Sequence, residues 1–418
     1  MINLNDQQRV VNDILNTACA WGITGQYTED ETLSGRTIRV KGREKVNFAH
    51  CSYLGLEMDQ RLRRGAIDAV ERFGSQFSSS RSYLSLTIYR EYEARLAELF
   101  GYPTIVSPTT TLGHFSTLPL IIGAKDTVVL DRFVHSSVKL AAQQLRVAGV
   151  HLTAIPHNDL NQLETRIRKH VEAGAGKVWY LIDGVYSMQG HGAPLRELRM
   201  LQEKYEQLYL YIDDAHGMSW AGKHGCGYAL EQLGALNPQT MLVTSLNKAF
   251  ASGGGAIICH NEEMKTTIQN CGLTMMFCGP LQPASLGAGL ASTKLHLSPD
   301  IVALQDQLRH KIRYFNRKCR ELNLALVGNS ETPIRYIGIG TPEIGYEVVS
   351  TLIDRGFFVN IAAYPSVATN KTGLRITLSN HITTSDIDAL LSAAAEVIDE
   401  VFDRRNYSQE QVTQAFLS

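Results

Sequence analysis

The chain has 418 residues, 44% of them hydrophobic and 19% charged, with 40 Lys and Arg against 41 Asp and Glu and a formal net charge of −1. That balance offers no basic surface for nucleic acid, and the length exceeds what one hydrophobic core usually fills, so two domains are expected, one of them discontinuous. Gly, Pro or charge interrupts every apolar stretch before it could span a bilayer, so no membrane span is expected.

The opening segment MINLNDQQRVVNDILNTACAW spaces its apolar residues as a helix does and lacks an apolar leader core or a cleavage pattern, which predicts a structural helix in a cytoplasmic protein. Seven cysteines, Cys19, Cys51, Cys226, Cys259, Cys271, Cys278 and Cys319, are scattered without a C-x-x-C pair. They read as reduced and mostly buried thiols rather than a disulfide framework or a zinc site.

From about residue 60, helical patterns alternate with short β-branched runs: Thr104 to Val106, Thr127 to Leu130, Leu152 to Ile155, Trp179 to Ile182, Leu208 to Ile212, Met241 to Thr244 and Ala256 to Cys259. This alternation predicts an α/β fold with a mostly parallel central sheet covered on both faces. Near residue 283 the texture changes to long helical stretches, then a few short strands and a closing helix from about Thr384. The expected division is an N-terminal helix and arm over 1–59, which joins a small α+β domain over 291–418, and a large domain over 60–290.

Four segments carry chemistry. Leu208 to Gly217 is an apolar strand ending in Asp213, Asp214 and His216, and in open α/β sheets ligands sit beyond the carboxyl ends of the strands. A second strand runs into Ser245-Leu-Asn-Lys248 and a glycine run. A lysine placed there loses water, which lowers its pKa and makes its amine a nucleophile toward a carbonyl. The third segment is Asp183-Gly-Val-Tyr-Ser-Met-Gln-Gly190 and the fourth Asp131-Arg-Phe-Val-His135-Ser-Ser. Gly222 to Gly227 has the wrong glycine spacing for a dinucleotide loop. His114, His191, His224 and His260 form no metal-ligand pair, and no G-x-S-x-G elbow is present, so neither a metal site nor a serine hydrolase is expected.

In this order and at these distances, DRxxHxS, DGVYSMxG, DDAHG and the hydroxyl-rich lead into lysine resemble the α-oxoamine synthases, a branch of the aminotransferase-like fold. The resemblance extends from about Phe48, through YLGL at Tyr53 to Leu56, to LRITLSNH at Leu374 to His381. It implies a fold-type I transferase that uses pyridoxal 5'-phosphate (PLP) in the large domain, with Lys248 as the Schiff-base lysine and Asp213 as partner of the ring nitrogen. His216 would bond the phenolic oxygen, His135 would stack on the ring, and Asp183 and Ser187 would line the pocket. Ser245, with Thr110 and Thr111 at a strand-to-helix turn, would hold the phosphate. Arg375 would hold the substrate carboxylate, with Arg81, Cys51 and Ser52 toward the substrate. Cys278 and Gly279 match a loop that the partner subunit contributes in a homodimer.

The implied reaction is condensation of an amino acid with an acyl thioester of CoA or an acyl-carrier protein, with loss of carbon dioxide, giving an α-amino ketone. This sequence departs from the family where Thr109-Thr110-Thr111 replaces Ser-Gly-aromatic, Cys51-Ser52 replaces an asparagine pair, and FSSSR ending at Arg81 replaces a glycine-rich stretch. Transamination, racemisation and retro-aldol cleavage, which start from the same cofactor, therefore stay open, as does a non-catalytic relative that kept the fold.

Overall fold

The seven predicted runs all become strands of one sheet: β1 (Thr104–Ser107), β2 (Thr127–Asp131), β3 (His151–Ile155), β4 (Val178–Asp183), β5 (Leu208–Asp213), β6 (Thr240–Ser245) and β7 (Gly255–Ile258). In this computed structural model, which describes residues 4–174, 176–328 and 330–417, their order across the sheet is β1-β7-β6-β5-β4-β2-β3. Neighbours pair in parallel except along β7, which runs antiparallel to both β1 and β6.

Parallel strands covered on both faces need apolar side chains on both, which is why these runs read as continuous rather than alternating. Every residue of β4 is buried. Val178, Tyr180 and Ile182 pack into one core cluster, with Leu96, Leu198 and Leu286 from covering helices. Trp179 and Leu181 point into the other cluster, with Leu118, Val138 and Ile268. Burying each such aliphatic side chain contributes about 1.5–3 kcal/mol.

The helices Gln60–Phe73 and Pro283–His296 pack backbone to backbone on one side of this unit. A Cβ at Gly65 would stand only 2.6 Å from the carbonyl oxygen of Gly287, so only glycine permits the approach. That contact keeps the whole of Pro283–His296 with the sheet. The larger unit accordingly comprises 54–187 and 192–305, and the smaller comprises 1–53, 188–191 and 306–418. The divisions thus fall a few residues before 59 and well after 290, and a short insert from 188–191 joins the smaller unit.

The smaller unit begins with the helix Asp6–Ala20, closed by an Asn5–Gln8 capping box. Thr37–Val40 and Arg43–Asn47 form a hairpin whose two turn residues, Lys41 and Gly42, both take positive φ, the geometry that matches strand twist. Ile334–Gly340, Thr372–Thr377 and Asn360–Ala362 make an antiparallel sheet with Thr372–Thr377 central. The helices Pro342–Asp354, Thr384–Arg405 and Gln409–Leu417 belong to this unit, as does Asp300–Glu321 from residue 306 onward.

Among the described residues, no helix is long and apolar enough to cross a membrane and no group of side chains could hold a metal ion. The seven cysteines are free, but the expectation of mostly buried thiols needs correction: only Cys259 and Cys319 are buried, and Cys19 and Cys271 are exposed. Those two sit on polar helix surfaces rather than on the apolar stripe.

Candidate active site

The carboxyl ends of β4, β5 and β6 deliver Asp183, Asp213 and Ser245 to one edge of the sheet. They open into a cavity of about 260 Å³ lined by Thr109, Thr110, Thr111, His135, Asp183, Asp213, His216, Ser245 and Lys248, among others. Four distant stretches of sequence thus meet because parallel strands share a direction.

Lys248 follows β6 in a tight loop. Its backbone is pinned where Leu246 N–H donates to Gly254 O, Ser252 N–H to Leu246 O and Ala251 N–H to Lys248 O, with Ala251 at φ 59°. A non-glycine residue in the left-handed region costs energy that the surrounding bonds must offset. The side chain is half-buried, and its Nζ stands 2.9 Å from His216 Nε2.

Asp213 is buried, its Oδ1 accepting from Ala215 N–H at 3.0 Å and its Oδ2 lying 3.1 Å from His114 Nε2. Burial alone would raise its pKa, but the hydrogen bond from His114 and the positive charge of nearby Lys248 outweigh it, so the carboxyl sits below its ordinary value. Asp183, its direct partner across β4 and β5, goes the other way: burial and then the charge of Asp213 push it well up. Asp183 Oδ1 accepts the backbone N–H of His135 at 2.9 Å and so holds the histidine loop in place.

His135 caps the helix Ser136–Gln143, its Nδ1 accepting from Ser137 N–H at 3.3 Å and lying 2.6 Å from Ser137 Oγ. Those partners leave the ring proton on Nε2. Burial pushes its pKa down, which favours the neutral ring. Asp214, the second carboxylate of the strand end, turns away from the cavity. It packs where Gly184, Gly217 and Gly227 leave room for it, accepts from Ala229 N–H at 2.9 Å, and is pushed well up by burial.

The helix Thr110–Ile121 points its first turn at the cavity, with Thr109 as its cap. Helix N-termini favour anions through their amides and dipole. A Cβ at Gly255 would stand 2.7 Å from Thr110 N and Cα, so glycine there lets this turn close against the lysine loop. An amine, a buried ionised carboxylate, a neutral imidazole and an anion cradle together are the donor set that PLP requires.

Some expected residues are not among those lining this cavity. Ser187 is one; Cys278 and Gly279, expected in a loop that serves the partner subunit's site, follow Phe277, which is 77% exposed. Arg81 is tied to Glu93 at 2.8 Å and to the carbonyl of Val106 at 2.9 Å, and faces a separate pocket with Met275 and Met276. Arg375, Cys51 and Ser52 belong to the smaller unit, where the buried Arg375 and Cys51 both bond to Tyr53. His114, one turn after Thr110, also belongs to this region through its contact with Asp213, although in the sequence it stands only as a lone histidine without metal spacing.

Fold and site together define a pyridoxal-phosphate enzyme of the aminotransferase type. Residues 43–393 match the family Aminotransferase class I and II. An 8-amino-7-oxononanoate synthase from Geobacter sulfurreducens is 31% identical over 382 residues, covering 90% of this chain and 95% of that protein. Another from Dechloromonas aromatica is 31% identical over 400 residues, covering 93% and 100%. In fold, the chain is similar to serine palmitoyltransferase from Sphingomonas wittichii, at a TM-score of 0.84 and 20% identity over 96% of this chain and 99% of that one. The enzyme from S. paucimobilis with a bound PLP–myriocin aldimine gives a TM-score of 0.85 at 20% identity, with the same coverage. The chain belongs to the aminotransferase class I and II family, in its α-oxoamine synthase branch.

Proposed function

We propose that this transferase condenses an amino acid with an acyl thioester, with loss of carbon dioxide, to give an α-amino ketone. The observation that carries the reading is the pairing of the Lys248 amine, 2.9 Å from His216, with an ionised Asp213 in one cavity of a chain from this branch. PLP bound there would supply an electron sink for negative charge developing at the α-carbon of the amino acid.

The chain's own residues do the rest. Lys248 would hold the cofactor covalently, and its amine, once the substrate's amino group displaced it, would move the proton at the substrate α-carbon, with His216 orienting it. Asp213 holds a proton on the ring nitrogen, and His135 covers the ring, its backbone fixed by Asp183. Thr110, Thr111 and Ser245 hold the phosphate at the helix N-terminus. Arg375 takes the substrate carboxylate, for which its planar fork is suited. Cys278 and Gly279 serve the second site of a homodimer, and the acyl group arrives on CoA or an acyl-carrier protein in the cytoplasm.

The test is to incubate the PLP-loaded enzyme with a panel of amino acids, with and without acyl-CoA or acyl-carrier thioesters. Free thiol and carbon dioxide released only when both substrates are present support condensation. A keto acid formed from the amino acid without any thioester would establish transamination instead.

A further inference from the structure

Behind the cavity wall, three buried side chains form one continuous hydrogen-bonded line. Tyr211 Oη is 2.8 Å from His114 Nδ1, and His114 Nε2 is 3.1 Å from Asp213 Oδ2. His114 and Tyr211 are 0% exposed and Asp213 is 3% exposed, so water does not compete for these bonds. Tyr211 and Asp213 are two residues apart on β5 and share one face of the sheet. That face is covered by the helix Thr110–Ile121, which carries His114 one turn beyond Thr110 and Thr111.

The proton positions follow from the partners. Burial pushes the Tyr211 phenol well above its ordinary pKa, so its hydroxyl keeps its proton and donates to Nδ1. An accepting Nδ1 leaves the ring proton on Nε2, where it points at the carboxylate. With Ala215 N–H on Oδ1, both oxygens of Asp213 are then fixed in direction.

We infer that His114 is a positioning residue for the cofactor: by donating from Nε2 to Asp213 it keeps that carboxylate ionised and aimed, so that the shared proton resides on the ring nitrogen. The inference rests on the PLP reading of Lys248 and Asp213. Without that donor, the carboxylate competes better for the proton and the ring becomes a weaker electron sink. Lys248 also acts on Asp213 through its positive charge, but it approaches from the cavity side, where the cofactor itself would stand. His114 acts from behind. Because its helix also presents Thr110 and Thr111, the same element sets the seats of the phosphate and of the ring nitrogen.

The experiment reconstitutes wild-type, His114→Gln, His114→Phe and Tyr211→Phe protein with PLP labelled with ¹⁵N in the ring, and reads the ring-nitrogen chemical shift and the Kd for PLP. Glutamine keeps an N–H near the place of Nε2–H, so its signal should stay near that of wild type. Phenylalanine removes both bonds while filling the space; its signal should move toward the unprotonated ring and its Kd rise roughly tenfold. Tyr211→Phe, which frees the ring tautomer without disturbing Asp213 itself, should move the signal partway in the same direction.

An unchanged ring-nitrogen signal in both His114→Phe and Tyr211→Phe overturns the inference. So does a glutamine variant as displaced as the phenylalanine one, since packing alone would then explain the site. Should His114→Phe fail to fold, the glutamine and Tyr211→Phe variants decide on the same signals. A wild-type protein that binds no PLP, or binds it unchanged in Lys248→Ala, overturns the cofactor reading itself and is recognised before any His114 variant is compared.

Discussion

Asp183 and Asp213 stand opposite one another as direct register partners across β4 and β5, yet their carboxyl pKa values are pushed in opposite directions. Burial and the neighbouring Asp213 charge keep Asp183 well above the ordinary carboxylate value. Asp213, with the His114 donor and nearby positive groups, stays below it. Two buried carboxylates side by side cannot both ionise cheaply, and the surroundings decide which one does.

This asymmetry predicts different outcomes for two isosteric changes. Asp183→Asn keeps a neutral group and should leave PLP binding within about threefold of wild type, whereas Asp213→Asn removes the ionised partner and should lower kcat by roughly 10²-fold or more. The folded-state pKa of Asp183 lies above its unfolded value. Its contribution to stability is therefore fully present below about pH 4 and is lost as pH rises toward the folded value, by about 1.4 kcal/mol for each unit between them. Urea denaturation of the cofactor-free protein between pH 5 and 8 should show wild type losing stability relative to Asp183→Asn. Parallel curves would contradict the assignment.

Lys248→Ala should remove the visible absorbance that appears when PLP is added to wild type, and should reduce turnover by on the order of 10³-fold or more. His216→Phe should leave the absorbance in place but alter its pH dependence, because the imidazole lies 2.9 Å from Nζ. A cofactor absorbance that persists in Lys248→Ala would remove the lysine from its role.

Much of this was legible in the sequence for a physical reason. Most strands of the large sheet are buried on both faces, the edge strand β3 being the exception, so they appear as β-branched or aromatic runs between turns. Lys248, Asp213, His216 and His135 sit at strand ends, where the chain order of the motifs is preserved. His114 was not legible because its partners lie 97 and 99 residues further along the chain, and nothing local distinguishes it from a packed core histidine. The hairpin at Thr37–Asn47 was missed because its strands carry Arg, Lys and Glu rather than an apolar alternation. The unit boundary shifted because Gly65 and Gly287 bind two helices together in a way that helix periodicity does not reveal.

Gly255 offers a test of the phosphate seat that leaves every polar group in place. A Cβ there would press on the backbone of Thr110 at 2.7 Å and push the first turn of its helix away from the lysine loop. Gly255→Ala should therefore weaken PLP binding about tenfold or more while costing about 1–3 kcal/mol of stability. Equilibrium dialysis alongside urea denaturation separates the two effects. An unchanged Kd would show that the turn does not hold the phosphate.

Arg375 lies on the central strand Thr372–Thr377 of the smaller unit's sheet, opposite Tyr336 on one side and Asn360 on the other. It is only 6% exposed, and the Tyr53 phenol is among its hydrogen-bond partners. Burial pushes Tyr53 well up, so the phenol stays neutral and orients the guanidinium without quenching its charge. A planar fork so held can meet both oxygens of a carboxylate, which the ammonium of lysine cannot do. Arg375→Lys should therefore raise KM for the amino acid by roughly tenfold, corresponding to the loss of about one charge-assisted hydrogen bond, and leave KM for the thioester unchanged. Tyr53→Phe should raise the same KM by a smaller factor, since it loosens the arginine rather than replacing it. Steady-state kinetics with each substrate varied in turn checks both, and equal rises in the two KM values would place Arg375 outside the carboxylate site.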